Sequence, residues 1–397
     1  MRFTPTGTRL VTGFATLLVG AVLAAPVAFA ADRVKVGFLS TMTGPGGYFG
    51  TEALAGFNLL VKMKGGRLGG LPAEVIVGDD QVNPEQGKQI AERMLKRDKV
   101  DFIAGTVFGN VMMAALPSVI EAERPMISTI AGPSELAGER CTPWFYSAGY
   151  QNDTPHEAIA KHMQDRGLKS VVTVVPNFVS GRDSVSGLKR YYKGAIAAEI
   201  YTKINQLDYG AEIAQIRAAN PDGVFIFLPG GMGINFIKQY QQNGLLGKIP
   251  LFGFGFNFED DIINAVGDSV VGAFNALQWG RDLDNPANKA FVSAFEQEYK
   301  HLPSAYAALG YDTAQLIDGA VRDLGGKLED KAALQRALTA ANFPSVRGKF
   351  RFNTNHMPIQ SFYLREVVKE DGKVQNRMRG TIFTDYADGF AKDCHMQ

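Results

Sequence analysis

Short apolar runs alternate with longer amphipathic stretches along most of the chain, and this alternation restricts the possible folds more than any other feature. In the first series, "VKVGFLS" precedes a stretch at 52–64, "AEVIVGDD" precedes 84–96, and "VDFIAGTV" precedes 111–123, with "PMISTIA" after it. Strands that are apolar on both faces are typical of parallel sheets covered by helices on both sides. The pattern therefore predicts a doubly wound α/β lobe.

The same alternation restarts after "YSAGYQND". Here "KSVVTVVPN" precedes a predicted helix at 183–198, "DGVFIFLPG" precedes 233–243, and "IPLFGFGF" precedes 259–266. This second series predicts a second α/β lobe, which a length of 397 residues accommodates. After about Trp279 the pattern changes to two long helices and then a hairpin that turns near Asp371-Gly372. Because helices this late in a chain usually pack onto an earlier lobe, we expect discontinuous domains.

The first thirty residues have the pattern of a secretory signal peptide. Arg2 and Arg9 precede an apolar run that ends at Ala28-Phe29-Ala30, the small-x-small pattern of a cleavage site. A membrane anchor is disfavoured, because the run is short for a span and is interrupted by glycine and proline. We therefore expect export with cleavage after Ala30. The net charge of +1 gives no indication of a nucleic-acid surface.

The chain has 2 cysteines, Cys141 and Cys394, both in the part expected to be exported. An oxidising compartment allows them to pair, and such a disulfide would tie down the C-terminus. Two separate thiols are the alternative, since the sequence alone does not bring these positions together.

Motifs for phosphate binding, catalysis and metal binding are incomplete. The glycine loop after "VKVGFLS" does not fit GxGxxG, because Phe49 stands at its last position, and the sequence has no GxxxxGK[ST] run. His156 precedes a glutamate but is not part of an HExxH motif, and the cysteines lack metal-ligand spacing. The adjacent carboxylates Asp79-Asp80 are interpreted as a solvated strand end, since neighbouring strand residues face opposite sides. We expect neither an enzyme nor a metal or cofactor site.

Aromatic residues and glycines recur where the predicted strands end. These residues are Tyr48, Phe49, Phe108, Gly109, Asn110, Phe178, Gly230, Gly231, Met232, Phe254 and Phe256. Open α/β sheets bind ligands outside the carboxyl ends of their strands, so two lobes would place these loops on facing sides of a cleft. Any single aromatic residue has a core role as its alternative. Their shared position predicts a cleft, with the glycine loop as one of its edges.

From Val34 to about Asp385 the chain resembles the leucine/isoleucine/valine-binding proteins, the type I periplasmic solute-binding components of ABC importers. The resemblance rests on "VKVGFLSTMTGPGGYFG", "GDDQVNPEQGKQIAERML", "ERPMISTIAGPSEL", "GRDSVSGLKRYYKG" and "ALGYDTAQLIDGAV". It implies an α/β fold of two doubly wound, Rossmann-like lobes, joined by a three-crossing hinge, that close over a ligand. It also implies a periplasmic monomer that works with an ABC permease and its ATPases. We divide the chain into a signal peptide (1–30), an N-terminal lobe (31–150 and 281–352) and a C-terminal lobe (151–280 and 353–397).

Several positions that bind amino acids in the family carry other residues here. The loop whose hydroxyls hold the ligand carboxylate reads Phe108, Gly109 and Asn110. The next loop reads Ile130 and Ala131, which keeps a backbone amide but loses a threonine hydroxyl, and a tyrosine position of the second lobe reads Ser180. The loop expected to supply an acid for the ligand ammonium contains Phe254 and Phe256, with no carboxylate before Glu259.

These changes predict an aromatic carboxylate of the benzoate or hydroxycinnamate type. A buried ammonium needs an anionic partner, whereas aromatic walls favour a flat ring. Loop amides, Asn110 and a hydroxyl such as that of Ser128 would hold the carboxylate, and "LPGGMGINFIKQY" resembles the aromatic-acid binders of the family. One alternative is a branched-chain amino acid or amide binder, in which Glu259 or Asp260 contacts an ammonium. Another is a module that senses ligand for a separate receptor.

Overall fold

The computed structural model describes residues 1–5, 7 and 31–396. Most of the expected signal peptide, including its apolar run and the cleavage site after Ala30, lies outside the described residues. Within the described residues, no helix is long and apolar enough to cross a membrane.

Two sheets organise the part of the chain between 31 and 396. The first sheet contains β1 (Val34–Ser40), β2 (Arg67–Leu68), β3 (Leu71–Asp79), β4 (Phe102–Gly105), β5 (Met126–Ser128) and β6 (Phe145–Ser147). The second contains β7 (Ser170–Pro176), β8 (Ala195–Thr202), β9 (Gly223–Ile226), β10 (Leu251–Phe254), β11 (Phe274–Leu277), β12 (Arg351–Phe352), β13 (Pro358–Glu370) and β14 (Lys373–Tyr386). Each sheet is the centre of one lobe, and the lobes are called first and second below.

The strand order in both sheets is that of doubly wound folds. The first sheet has the order β2-β3-β1-β4-β5-β6, and β3, β1, β4, β5 and β6 are parallel. The second has the order β12-β13-β11-β10-β9-β7-β8, with β14 paired to β13. Its strands β8, β7, β9, β10 and β11 are parallel, and the β13–β14 hairpin joins antiparallel. The predicted α/β fold of two doubly wound lobes is confirmed.

Helices cover the faces of both sheets. They are α1 (Gly47–Met63), α2 (Pro84–Arg93), α3 (Gly109–Ala122), α4 (Ser134–Ala137), α5 (Thr154–Asp165), α6 (Val179–Tyr191), α7 (Gly210–Ala219), α8 (Gly231–Gln242), α9 (Asp260–Val266), α10 (Pro286–Tyr299), α11 (Ala305–Asp323) and α12 (Lys331–Ala340). Apolar strands therefore have both faces buried, as in β1 and β7.

The late helix α11 packs along α1 of the first lobe, and glycines allow the two backbones to touch. A Cβ added to Gly56 would lie 1.9 Å from the carbonyl oxygen of Ala307, and one added to Gly310 would lie 1.8 Å from that of Ala53. Any larger residue at these positions would force the helices apart. This packing agrees with a discontinuous first lobe, while the exact lobe boundaries stay a prediction.

The predicted helix at 183–198 is wrong in its second half. Helix α6 ends at Tyr191, and residues 195–202 form strand β8, which pairs in parallel with β7. The alanine-rich sequence of β8 favours a helix when considered alone, but pairing along the sheet overrides that local preference. The predicted hairpin is confirmed, because Glu370 and Lys373 pair across the turn at Asp371-Gly372.

The two cysteines form a disulfide, which confirms the favoured pairing. The Cα atoms of Cys141 and Cys394 are 5.6 Å apart, and the bond spans a sequence separation of 253 residues. It attaches the end of the chain, beyond β14, to the loop between α4 and β6 of the first lobe. Close by, the side-chain amide of Asn355 donates to the carbonyl of Ala137 at 2.8 Å and to Asp388 at 3.1 Å, so hydrogen bonds secure the same tail.

Candidate functional site

A cleft that is open to solvent lies between the two lobes. Gly46, Phe49, Val82, Phe108 and Asn110 line it from the first lobe, and Phe178, Ile204, Asn205, Pro229 and Met232 line it from the second. These residues lie just beyond the carboxyl ends of β1, β3 and β4 in one sheet and of β7, β8 and β9 in the other. The strands correspond, since β1 lies between β3 and β4 as β7 lies between β8 and β9. Equivalent loops of the two lobes therefore face each other.

Seven aromatic rings form a closed circuit around this interlobe region, and we call it the aromatic circuit. In order, its members are Phe49, Phe108, Phe178, Phe227, Phe254, Phe256 and Tyr306. Successive ring centroids are between 4.2 and 6.3 Å apart, which is close to the range of favourable aromatic pairs. The circuit crosses from one lobe to the other twice, at Phe108–Phe178 (6.3 Å) and at Phe256–Tyr306 (4.2 Å).

Polar groups without partners accompany these rings. Among the described residues, the hydroxyl of Tyr306 and the side-chain oxygen of Asn110 are buried and have no hydrogen-bond partner. Burial raises the pKa of Tyr306 well above its ordinary value, so the hydroxyl keeps its proton and can donate. A bound polar ligand would satisfy groups that are otherwise costly to bury.

Three helices begin at the cleft without a side-chain cap. The residues that precede α3, α6 and α8 are Phe108, Phe178 and Gly230, and none of these caps its helix within the described structure. By contrast, Asn83 caps α2 and Asn285 caps α10 with side-chain oxygens. Free amide groups and the helix dipole both favour an anion at a helix N-terminus. The arrangement suits a ligand with an apolar ring and a negative charge.

Of the predicted site residues, Phe49, Phe108, Asn110, Phe178 and Met232 line the cleft. The others lie around this lining, and their contact with a ligand stays a prediction. Phe254 and Phe256 belong to the aromatic circuit, and the ring of Tyr48 is 6.0 Å from that of Tyr306. Gly230 and Gly231 form the start of α8, with a positive φ of 60° at Gly230.

The remaining predicted residues shape the loops beside the cleft. Gly109 faces Ser180 of the other lobe, and a Cβ added to Gly109 would be in ordinary van der Waals contact, 3.4 Å from the Ser180 hydroxyl oxygen. Ser128 is fully buried, and its hydroxyl donates to the carbonyl of Ala131 at 2.5 Å. Ile130 is also buried. In this arrangement the Ser128 hydroxyl fixes the loop that carries Ala131.

The interpretation of Asp79-Asp80 as a solvated strand end is wrong for Asp80. Asp80 is fully buried, its carboxylate accepts from the Thr41 hydroxyl at 2.5 Å and from the Val82 amide at 2.9 Å, and burial raises its pKa. Asp79 accepts from the Thr43 hydroxyl at 2.6 Å. Together they hold the loop that places Val82 in the cleft.

The residues that sequence reasoning missed include Val82, Ile204, Asn205 and Tyr306, together with Pro229 of the cleft lining and Phe227 of the aromatic circuit. The carboxylates Asp79-Asp80 give no indication that Val82, just beyond them, lines the cleft. Ile204 and Asn205 follow β8, whose sequence favours a helix when considered alone. Tyr306 lies far along the chain, at the start of a helix that joins the first lobe only by tertiary packing. A search for loops after every strand would have found the first three.

The acids proposed as alternative ammonium partners are engaged by arginines. Glu259 accepts from Arg365 at 2.7 Å, and both side chains are buried. Asp260 forms an ion pair with Arg281. An ammonium at either carboxylate would have to displace a guanidinium group.

Comparison with known proteins identifies the family of this chain. The family described as periplasmic binding protein matches residues 33–373, which is most of the chain. The chain belongs to the periplasmic binding protein family. Members of this family are periplasmic solute-binding proteins that bind small molecules and work with ABC transporter permeases, and they are not enzymes.

Two solved periplasmic binding proteins similar to this one hold aromatic acids. A solute-binding protein of an ABC transporter from R. palustris, in complex with benzoate, is 32% identical, with a TM-score of 0.86 over 91% of this chain and 99% of that chain. A second from R. palustris, in complex with 4-hydroxybenzoate, is 29% identical, with a TM-score of 0.85 over 90% and 99%. The Leu/Ile/Val-binding protein homolog 6 of Brucella melitensis is 28% identical over 365 residues, 89% of this chain and 93% of the relative. The type I periplasmic binding protein fold is thus established.

Proposed function

We propose that this protein captures a small aromatic carboxylate, of the benzoate or hydroxycinnamate type, by closure of its two lobes. The captured acid is then delivered to an ABC permease powered by its ATPases. The aromatic circuit, to which both lobes contribute, carries this proposal. A ring bound against Phe108 of the first lobe and Phe178 of the second would contact both lobes, so the ligand stabilises the closed state over the open one.

The charge of the ligand follows from the groups that surround the cleft. The uncapped amides of α3, α6 and α8 favour a carboxylate. The acids nearest the family's ammonium position, Glu259 and Asp260, are neutralised by Arg365 and Arg281. A ligand with an unpaired ammonium would therefore pay a desolvation cost of several kcal/mol.

Both solved relatives described above hold a benzoic acid, which supports the same ligand class. The proposal includes the features expected from the sequence: cleavage after Ala30, a periplasmic monomer, no enzymatic activity, and lobes divided near residues 150, 280 and 352. A role as a sensor for a separate receptor would use the same ligand and the same closure.

Isothermal titration calorimetry of residues 31–397 with matched ligands tests the proposal. Phenylalanine and 3-phenylpropionate differ only by the ammonium group, and benzoate and cyclohexanecarboxylate differ in the aromatic ring. We expect 3-phenylpropionate to bind at least 100-fold more tightly than phenylalanine, which corresponds to about 2.7 kcal/mol. We also expect benzoate to bind more tightly than its saturated analogue by several-fold, as aromatic pairs contribute about 0.5–1.5 kcal/mol each.

A pair of variants locates the site. Phe178→Leu removes a ring from the aromatic circuit, whereas Phe236→Leu removes a buried ring from the second-lobe core away from the cleft. Only the first should weaken benzoate binding. Tight binding of leucine together with silence from the aromatic acids would overturn the proposal in favour of a branched-chain amino acid binder.

A further inference from the structure

Val82 and Ile204 occupy corresponding positions in the two lobes, near the solvent edge of the cleft. Val82 follows β3 and Ile204 follows β8, which are the corresponding flanking strands of the two sheets. Both residues line the cleft, one from each lobe. Ile204 is 44% exposed, whereas Phe49 and Phe178 of the inner wall are 3% and 8% exposed. Ile204 therefore lies where the cleft opens to solvent, and Val82 is partly exposed on the first lobe.

The first-lobe member is held in an unusual backbone conformation. Gln81 and Val82 have φ angles of 52° and 61°, a region that β-branched residues rarely adopt. Asp79 accepts from the Gln81 amide at 3.1 Å, and Asp80 accepts from the Val82 amide at 2.9 Å. Since Asp80 is itself bonded to the Thr41 hydroxyl, the loop cannot relax without breaking a buried polar contact.

The second-lobe member is anchored in a similar way. Asn205, next to Ile204, has a φ of 61°. Gln206 accepts from the Lys203 amide at 3.1 Å and donates to Glu212 at 2.8 Å and to the Asp208 carbonyl at 2.7 Å. Side-chain to backbone hydrogen bonds thus fix the loop on both sides of the opening, and an apolar side chain projects from each.

We propose that Val82 and Ile204 set the upper size limit of the ligand. When the lobes close, the two side chains approach each other over the open end of the cleft, so that an acid with one ring is enclosed and a longer one keeps the lobes apart. This inference rests on the proposed function and assigns specificity within it.

Truncation of both side chains tests the size limit. The variant Val82→Ala/Ile204→Ala and the unmodified protein are titrated with benzoate, 4-hydroxycinnamate and biphenyl-4-carboxylate. In the unmodified protein we expect affinity to fall at least tenfold from benzoate to the biphenyl acid. In the double variant we expect this ratio to shrink at least tenfold. Benzoate itself will bind somewhat less tightly because each lobe loses an apolar contact, so the ratio is the readout.

Control variants distinguish an effect of the Val82 and Ile204 side chains from a general effect of changing their loops. Leu207→Ala changes an apolar residue that is 70% exposed in the same loop as Ile204, and it should leave the ratio unchanged. Ile204→Trp should shift preference further toward benzoate. An unchanged ratio in the double variant, or an equal change in Leu207→Ala, would overturn the size limit while the proposed function stands. Failure of every aromatic acid to bind the unmodified protein would instead overturn the proposed function, and the size limit with it.

Discussion

Replacement of Glu259 by glutamine distinguishes a structural carboxylate from one that binds ligand. Its two oxygens accept from the Arg365 guanidinium at 2.7 Å and from the Ala305 amide at 3.0 Å. Arg365 lies on β13 of the second lobe, and Ala305 begins α11, which packs on the first. Glu259 and Arg365 are only 5% and 6% exposed. The carboxylate therefore neutralises a buried cation and also ties the two lobes together.

The expected cost follows from the burial of that ion pair. Removing one partner of a buried salt bridge leaves an uncompensated charge and destabilises a protein by about 3–5 kcal/mol. Unfolding entropy is about 2.1 cal/mol/K per residue, so a chain of this length loses roughly 4–6 °C in Tm. Because Glu259 is occupied by protein groups, the preference of Glu259→Gln for aromatic acids over amino acids should not change.

Thermal unfolding by circular dichroism measures this effect in the absence of ligand. Asp260→Asn is the comparison variant, because Asp260 and Arg281 are 33% and 23% exposed, so breaking this half-buried pair should cost less than breaking the buried one. A Tm change below 1 °C in Glu259→Gln, combined with altered discrimination between phenylalanine and 3-phenylpropionate, would refute the structural role and support an ammonium site.

Two further predictions concern stability. Cys141→Ser/Cys394→Ser should lower the free energy of unfolding by about 2–4 kcal/mol, because the disulfide restricts the unfolded chain over a separation of 253 residues; equal Tm values with and without reductant would contradict this. Burial, together with the charge of Glu259, raises the pKa of Asp261 to about 7. Its native state therefore keeps a proton that the unfolded chain releases near pH 4, and stability falls as pH rises from about 4 to 7. Asp261→Asn should remove this loss and stabilise the protein at pH 8 by up to about 4 kcal/mol, as measured by urea unfolding; parallel pH profiles would argue against it.

Local patterns were reliable wherever burial alone decides the structure. The apolar runs that became β1, β7 and β10 were recognised because a strand covered on both faces has to be apolar throughout. Local patterns failed where pairing with a neighbouring strand decides the structure. Strand β8 is an edge strand with a half-exposed, alanine-rich sequence, so only its pairing with β7 distinguishes it from a helix.

The residues of the cleft show the same difference between what local patterns predict and what tertiary packing decides. Aromatic residues that follow several strands are visible in the sequence, and strand ends of open sheets lie on one edge. That placed Phe49, Phe108 and Phe178 correctly at the cleft.

How these rings meet, and which other residues join them, depends on tertiary packing. Tyr306 closes the aromatic circuit from a position more than 250 residues beyond Phe49, and Asp80 became a buried anchor rather than a solvated acid. Side-chain burial and hydrogen-bond partners depend on which distant segments pack together. A single sequence encodes the local preference for each segment, but the choice between partners is made by the free energy of the assembled fold.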